Sequence, residues 1–236
     1  MRRLAVITGS GLGRLADQFV SAETIAFDRI EGLTAADVPG HRGEIRVCSL
    51  DGGELFLVLG RRHVYEEGAR QVRVLVDYLV DRGATALVSV SAAGALNTTL
   101  YPGDFVIGSS MMDLQNQLAG ARPTCDPGLT RMVERAGRVV GITLHRGVMG
   151  CVGGPAYESR AEVAFLQRIG ADLAMMSGAQ EMRAARTREI PAAALAVVTN
   201  SATGITRSAP RHTEVLDAAG LAVGRLGRLI RQLVIT

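Results

Sequence analysis

The sequence predicts an α/β fold, a single domain over residues 1–236 in which a mixed central β-sheet carries helices on both faces. Three observations predict it. Short apolar runs rich in β-branched residues alternate along the chain with stretches whose apolar residues recur at helical spacing, an order that builds a parallel or mixed sheet covered on both sides. Of the 236 residues, 47% are hydrophobic and 21% charged, enough for one large domain with its own core. The sequence also contains no repeat, low-complexity tract or linker that would divide it.

Taken in order, Leu4 to Thr8 is an apolar run of the kind that forms a buried strand. It ends in Gly9-Ser10-Gly11-Leu12-Gly13, after which Leu15, Ala16 and Phe19 recur at helical spacing. A glycine-rich turn between strand and helix lets backbone N–H groups approach an anion, and Ser10 can add a hydroxyl; a plain tight turn uses the same residues. The third glycine comes one residue too early for the dinucleotide pattern, which disfavours a nicotinamide-dependent oxidoreductase. Val38-Pro39-Gly40-His41 is a turn that places His41 in a loop.

Glu44 to Leu50 and Glu54 to Leu59 flank Asp51-Gly52-Gly53 and read as a hairpin. The second strand delivers the chain to Arg61, Arg62, His63, Val64, Tyr65 and Glu66. If the strand continues, Arg61, His63 and Tyr65 share one face, because side chains alternate with a period of two. A cation, an imidazole and an aromatic hydroxyl side by side suit an oxyanion with something flat or hydroxylated next to it. The residues taken alone are equally well read as an exposed polar turn. Val72, Leu75, Val76 and Leu79 then fall on one face of a helix that starts near Ala69 and stops near Gly83.

Thr85 to Val90 is a further strand, running into Ser91-Ala92-Ala93-Gly94-Ala95-Leu96-Asn97. Small residues at a strand's carboxyl end leave room for a ligand against the backbone, or for close packing of two backbone segments. Asp104 to Ile107 reads as a strand and 111–128 as irregular. Leu129 to Val140 has helical spacing, and Gly147 to Val152 is strand-like. Gly153-Gly154-Pro155-Ala156-Tyr157-Glu158-Ser159 then precedes a helix over Arg160 to Ile169. By position alone, Glu158 reads as a carboxylate stabilising the first turn of that helix, an effect of about 0.3–1 kcal/mol. Leu173 to Met175 leads to Met176-Ser177-Gly178, where Ser177 suits the N-cap of a helix over Ala179 to Arg188. Ala192 to Thr199 is a buried strand ending at Asn200, and His212 precedes a long amphipathic helix over Thr213 to Leu233.

Composition removes several classes of chemistry. All 26 basic residues are arginine, so P-loop, Schiff-base and pyridoxal lysines are absent. Net charge is +3 with no basic run longer than two residues, weak grounds for a nucleic-acid partner. Cys48, Cys125 and Cys151 are widely spaced and odd in number, which fits buried thiols in a reducing compartment better than disulfides or a zinc site. The apolar stretch after Met1-Arg2-Arg3 is too short for a signal segment and no run approaches membrane-spanning length, so the expectation is a cytoplasmic protein without membrane contact.

Taken together, the motifs resemble the purine nucleoside phosphorylase family, in its trimeric branch acting on 6-oxopurine nucleosides with the related methylthioadenosine phosphorylases. The motifs that carry the resemblance are GSGLG at Gly9, VPGH at Val38, GRRHVYE at Gly60, SAAGALN at Ser91 and GD at Gly103. They continue with GGPAYES at Gly153, the stretch from Gly170 to Arg186, TNSATGI at Thr199 and HTEVL at His212, so the match runs nearly end to end.

The resemblance implies reversible phosphorolysis of purine nucleosides, inosine and guanosine first, to free base and ribose 1-phosphate: a pentosyl transfer of purine salvage. It implies a phosphate site of Ser10, His41, Arg61, His63, the backbone N–H of Ala92, and Ser177. It implies a ribose site of Tyr65, Met176 and His212, and a purine site of Tyr157, Glu158 and Asn200, with Asn200, Glu158 and His63 closest to the chemistry. Inorganic phosphate is co-substrate, no cofactor or metal is implied, and the expected assembly is a homotrimer. A phosphorylase for 5′-modified nucleosides and a catalytically weak purine binder are the alternatives. The chain departs from the family pattern at Arg62, Glu67 and Ala179-Gln180. The segment 111–127 is also shorter than in typical relatives, with no counterpart of the aromatic residue that reaches a neighbouring subunit's site.

Overall fold

Alternation along the first strand sets the architecture. In Arg2–Thr8 (β1), Leu4 and Val6 enter one apolar cluster while Ala5 and Ile7 enter another, so both faces of the strand are buried. The computed structural model describes residues 2–34, 42–66, 68–115, 123–206 and 212–235, with Arg2 and His212 described by their backbone alone.

The hairpin forms as expected. Glu44–Leu50 (β3) and Gly53–Leu59 (β4) pair antiparallel around Gly52, whose φ of 95° suits only glycine without strain. Glu23–Ala26 (β2) adds an edge strand to β3. Ile25 alone of its four residues is partly buried, against the core, too little for apolar alternation to announce the strand. Gly68–Asp81 (α1) follows, then Ala86–Ala95 (β5), which pairs parallel with β1.

The strand expected to stop at Val90 therefore runs five residues further. Its small residues let two more strands approach: Leu173–Met175 (β8) antiparallel at Gly94 and Ala95, and Ala192–Ser201 (β9) parallel along its length, with an irregularity at Ala93/Gly94. Phe105–Asp113 (β6) and Leu144–Cys151 (β7) complete a ring, because β7 pairs with β8 and β6 pairs with β9. The strand order is β2-β3-β4-β1-β5-β8-β7-β6-β9, with β9 returning to β5. The mixed α/β sheet is thus closed at one end into a ring of five strands. Met111 to Asp113, read as irregular from sequence, belongs to β6.

Helices cover both faces. Pro127–Val139 (α2) starts at Asp126, whose carboxylate accepts the Leu129 N–H at 2.7 Å, with Pro127 in the first turn. It packs with His212–Ile235 (α5) over the cluster that holds Leu4 and Val6. On the other face α1 packs against Ala179–Thr187 (α4). Arg160–Arg168 (α3) buries Val163 and Leu166 in a third, smaller cluster with Leu96 and Ala202. Among the described residues no helix is long and apolar enough to cross a membrane.

Candidate active site

Gly60, with φ at 94°, ends β4 one residue before Arg61. Arg61, His63 and Tyr65 therefore do not share a strand face, contrary to the alternation argument. Val64–Glu66 forms a 3-10 turn instead, and that path stacks the His63 ring on Tyr65 with centroids 5.0 Å apart and planes 6° from parallel. The three side chains still meet, through a turn. Glu66 holds His63 in place: its Oε2 accepts the His63 backbone N–H at 2.9 Å and lies 3.2 Å from Nδ1. Burial and then the charge of Arg61 pull the His63 pKa below its ordinary 6.5, against the opposing effect of Glu66, so the imidazole is neutral at pH 7.

Arg61 is a buried cation, not part of an exposed turn. Its Nε donates to Glu181 Oε1 at 2.9 Å and its Nη2 to Ser91 Oγ at 2.9 Å. A Cβ on Gly9 would lie 2.5 Å from Nη1, so the glycine after β1 makes room for the guanidinium. Ser91 Oγ in turn stands 3.1 Å from Ser177 Oγ. Ser177 is not the N-cap of α4; that position is Gly178, at φ 103°, and its N–H donates to Glu181 Oε2 at 2.9 Å. One buried carboxylate thus ties the arginine to the serine turn, and the Ser177 hydroxyl is left for other work.

Glu158 also departs from its local reading. Ser159 is the N-cap of α3, and Glu162 completes the capping box by accepting the Ser159 N–H at 2.7 Å. Glu158 lies outside that box and lines the cleft, where burial above all raises its pKa from 4.5. The neighbouring Tyr157 is raised by burial and then by Glu158 itself. Asn200 is oriented by its neighbours: Oδ1 accepts the Thr199 hydroxyl at 2.9 Å and Nδ2 donates to Ser201 O at 3.0 Å. Met176 is held through its carbonyl, which accepts from Gln115 Nε2 at 2.8 Å, and a Cβ on Gly154 would fall 2.7 Å from its sulfur and 3.1 Å from the Tyr65 ring.

These residues surround one cleft of about 220 Å³. Ser10, Arg61, His63, Tyr65, Ala92, Tyr157, Glu158, Met176, Ser177 and Asn200 all line it. His41 lies outside the described residues, as does the side chain of His212; Val215, one turn further along α5, reaches the cleft. Sequence reading missed Ser91, Glu66 and Glu181 as supports of this wall. Glu181 sits three residues after Gly178, a spacing that signals a capping carboxylate and conceals its second bond to Arg61. Among the described residues, no group of three or more His, Cys, Asp or Glu could hold a metal ion. Half-buried Arg62 donates to the Glu66 carbonyl at 3.4 Å and supports the 3-10 turn.

Chemically, the cleft has two distinct polar groups. Around Arg61 and Ser177 it offers donors suited to an anion, and around Glu158 and Asn200 it offers an acceptor and an amide suited to a heterocycle. Tyr65 and Met176 supply apolar surface as well.

The chain is similar to known proteins over nearly its whole length. A family model described as "Phosphorylase superfamily" matches residues 3–235. Purine nucleoside phosphorylase 1 of Bacillus subtilis (strain 168) is 27% identical over 247 residues, covering 98% of this chain and 91% of that protein. The purine nucleoside phosphorylase of Mycobacterium tuberculosis is 32% identical over 237 residues, covering 98% and 88%. Among solved structures, Schistosoma mansoni purine nucleoside phosphorylase in complex with adenosine superposes with a TM-score of 0.89 at 28% identity, covering 100% of this chain and 91% of that one.

Proposed function

Because this chain belongs to the phosphorylase superfamily, and within it to the purine nucleoside phosphorylases, we propose that its cleft carries out reversible phosphorolysis of purine nucleosides to free base and ribose 1-phosphate. The reading is supported by one observation above all: anion donors and heterocycle partners, drawn from six separate motifs, line the same cleft. A phosphate oxygen attacks C1′ as the C1′–N9 bond breaks; its electron pair goes to the purine, which takes a proton at nitrogen. Positive charge builds on the ribose and negative charge on the base, as in other glycosyl transfers.

Arg61, Ser10, Ser177 and the Ala92 N–H hold the phosphate, with His63 as a neutral partner, and His41 is assigned there by resemblance. The charge of Arg61 is already balanced by Glu181, and His63 is uncharged at pH 7. The described side chains at this end therefore orient the phosphate without cancelling its charge, which leaves the anion free to act as counter-ion to the ribosyl cation. Tyr65 and Met176 pack the ribose, with His212 assigned to its 5′ end by resemblance. Tyr157 packs the base, Glu158 accepts from N1–H, and Asn200 donates to O6 or N7 as charge accumulates. Removing Glu158 or Asn200 should raise the barrier by about 2–4 kcal/mol.

The amide at Asn200 favours a 6-oxopurine, hence inosine and guanosine. The reading takes phosphate as co-substrate and no cofactor, a homotrimer as the assembly and the cytoplasm as its compartment; sedimentation tests the assembly. Base release from inosine, guanosine, adenosine and methylthioadenosine, each with and without phosphate, tests the function. Release from inosine and guanosine only with phosphate is expected. Preference for methylthioadenosine would indicate a 5′-modified substrate, and tight base binding without release from any would indicate a purine binder.

A further inference from the structure

We infer that Ser91, which does not itself line the cleft, is a positioning residue that fixes the direction of a hydrogen-bond relay from Arg61 through Ser91 to Ser177, making Ser177 an obligate donor to the bound phosphate. The inference rests on the phosphorolytic reading of the cleft. Its basis is proton counting. A guanidinium can only donate, so the Arg61 Nη2 contact at 2.9 Å occupies a lone pair of Ser91 Oγ. Glu181 on Nε, also at 2.9 Å, keeps the guanidinium plane from rotating away.

Ser91 is 1% exposed, and among the described residues its hydroxyl has one further neighbour, Ser177 Oγ at 3.1 Å. A hydroxyl carries one proton. If Ser177 donated to Ser91, the Ser91 proton would point at no acceptor inside a buried wall, an arrangement that carries the full desolvation cost of that group. Ser91 therefore donates to Ser177. The Ser177 proton is then directed away from Ser91, and Ser177 borders the cleft.

The consequence is selectivity for the ligand's protonation pattern. A forced donor binds a bare phosphate oxygen and meets a P–OH group donor to donor, so the hydroxyl of a hydrogen phosphate must face elsewhere. A serine free to rotate would accept either. Ser91 thus acts on phosphate alone, through two side chains that touch it, while having no contact with the nucleoside.

The test is a double-mutant cycle on the full-length protein with Ser91→Ala, Ser177→Ala and the pair, reading phosphate KM, inosine KM and phosphate binding without nucleoside. Expected is a rise in phosphate KM of about tenfold for each single variant, as for loss of one charge-assisted hydrogen bond, with inosine KM within about twofold. The effect of Ser177→Ala should shrink to under about threefold in the Ser91→Ala background, because coupled partners are non-additive. Ser91→Thr, which keeps the hydroxyl, should restore phosphate KM to within about threefold of wild type. Should Ser91→Ala not fold, the nearly isosteric and poorly donating Ser91→Cys replaces it with the same expectation. An equal Ser177→Ala factor in both backgrounds, or an unchanged phosphate KM at position 91, overturns the relay. Wild-type protein that binds phosphate with the coupling intact but releases no base retains the relay and removes the phosphorolytic reading.

Discussion

Arg61 and Glu181, 120 positions apart in the sequence, meet at 2.9 Å with side chains only 2% and 1% exposed. Neither charge has water to fall back on, so the pair stands or falls together. Glu181→Ala leaves a buried guanidinium without its carboxylate and the Gly178 N–H without its acceptor. The expected loss is about 3–5 kcal/mol of folding free energy, read from urea unfolding of the variant against wild type. A loss below about 1 kcal/mol, the range of exposed pairs, would contradict the buried bridge.

Asn200→Asp should move base preference. A carboxylate accepts from a 6-amino group and repels a 6-oxo group, so the ratio of kcat/KM for adenosine over inosine should rise by about tenfold or more, the scale of one misplaced buried hydrogen bond. An unchanged ratio would mean that Asn200 does not face the 6-position.

Glu158 makes base binding proton-linked. Burial raises its folded pKa above 4.5, so its contribution to stability is present below 4.5 and is lost as pH rises through the raised value. Hypoxanthine donating from N1–H selects the ionised carboxylate. On the acid side of the raised pKa, binding should therefore release a proton and tighten as pH rises, and Glu158→Gln should abolish both effects. Calorimetry in two buffers of different ionisation heat reads the proton count; identical heats would refute the contact.

His63 runs the other way. Its folded pKa is depressed below 6.5 by burial and by Arg61, so its contribution to stability is present above 6.5 and is lost as pH falls through the depressed value. Phosphate supplies negative charge beside the imidazolium and should flatten that loss. Thermal unfolding between neutral and mildly acid pH, with and without phosphate, checks this against His63→Gln, in which the slope due to this group should vanish.

What the sequence reveals follows the range of the physics involved. Local signals were legible: the hairpin around Gly52, the helix expected over Leu129 to Val140, which starts two residues earlier at Pro127, and the burial of both faces of β1 all follow from neighbouring residues. Non-local pairing was not. Small residues at Ala92 to Ala95 marked a close approach, yet the partners that extend β5, namely β8 and β9, lie far along the chain, at Leu173–Met175 and Ala192–Ser201. Glu158 shows a competition between two carboxylates for one role. Ser159-x-x-Glu162 already satisfied the helix end, a signal present in the sequence that leaves Glu158 for the cleft. Ser177 and Gly178 show the reverse: the hydroxyl suited a cap by type, but the cap position takes φ 103°, where glycine is favoured.

Transfer of the ribosyl group to phosphate is read from the product ratio from inosine under saturating phosphate, followed by phosphorus and proton NMR. One ribose 1-phosphate should form for each hypoxanthine released, with the release abolished when phosphate is left out. Free ribose in place of ribose 1-phosphate, or hypoxanthine release at the same rate without phosphate, would contradict it.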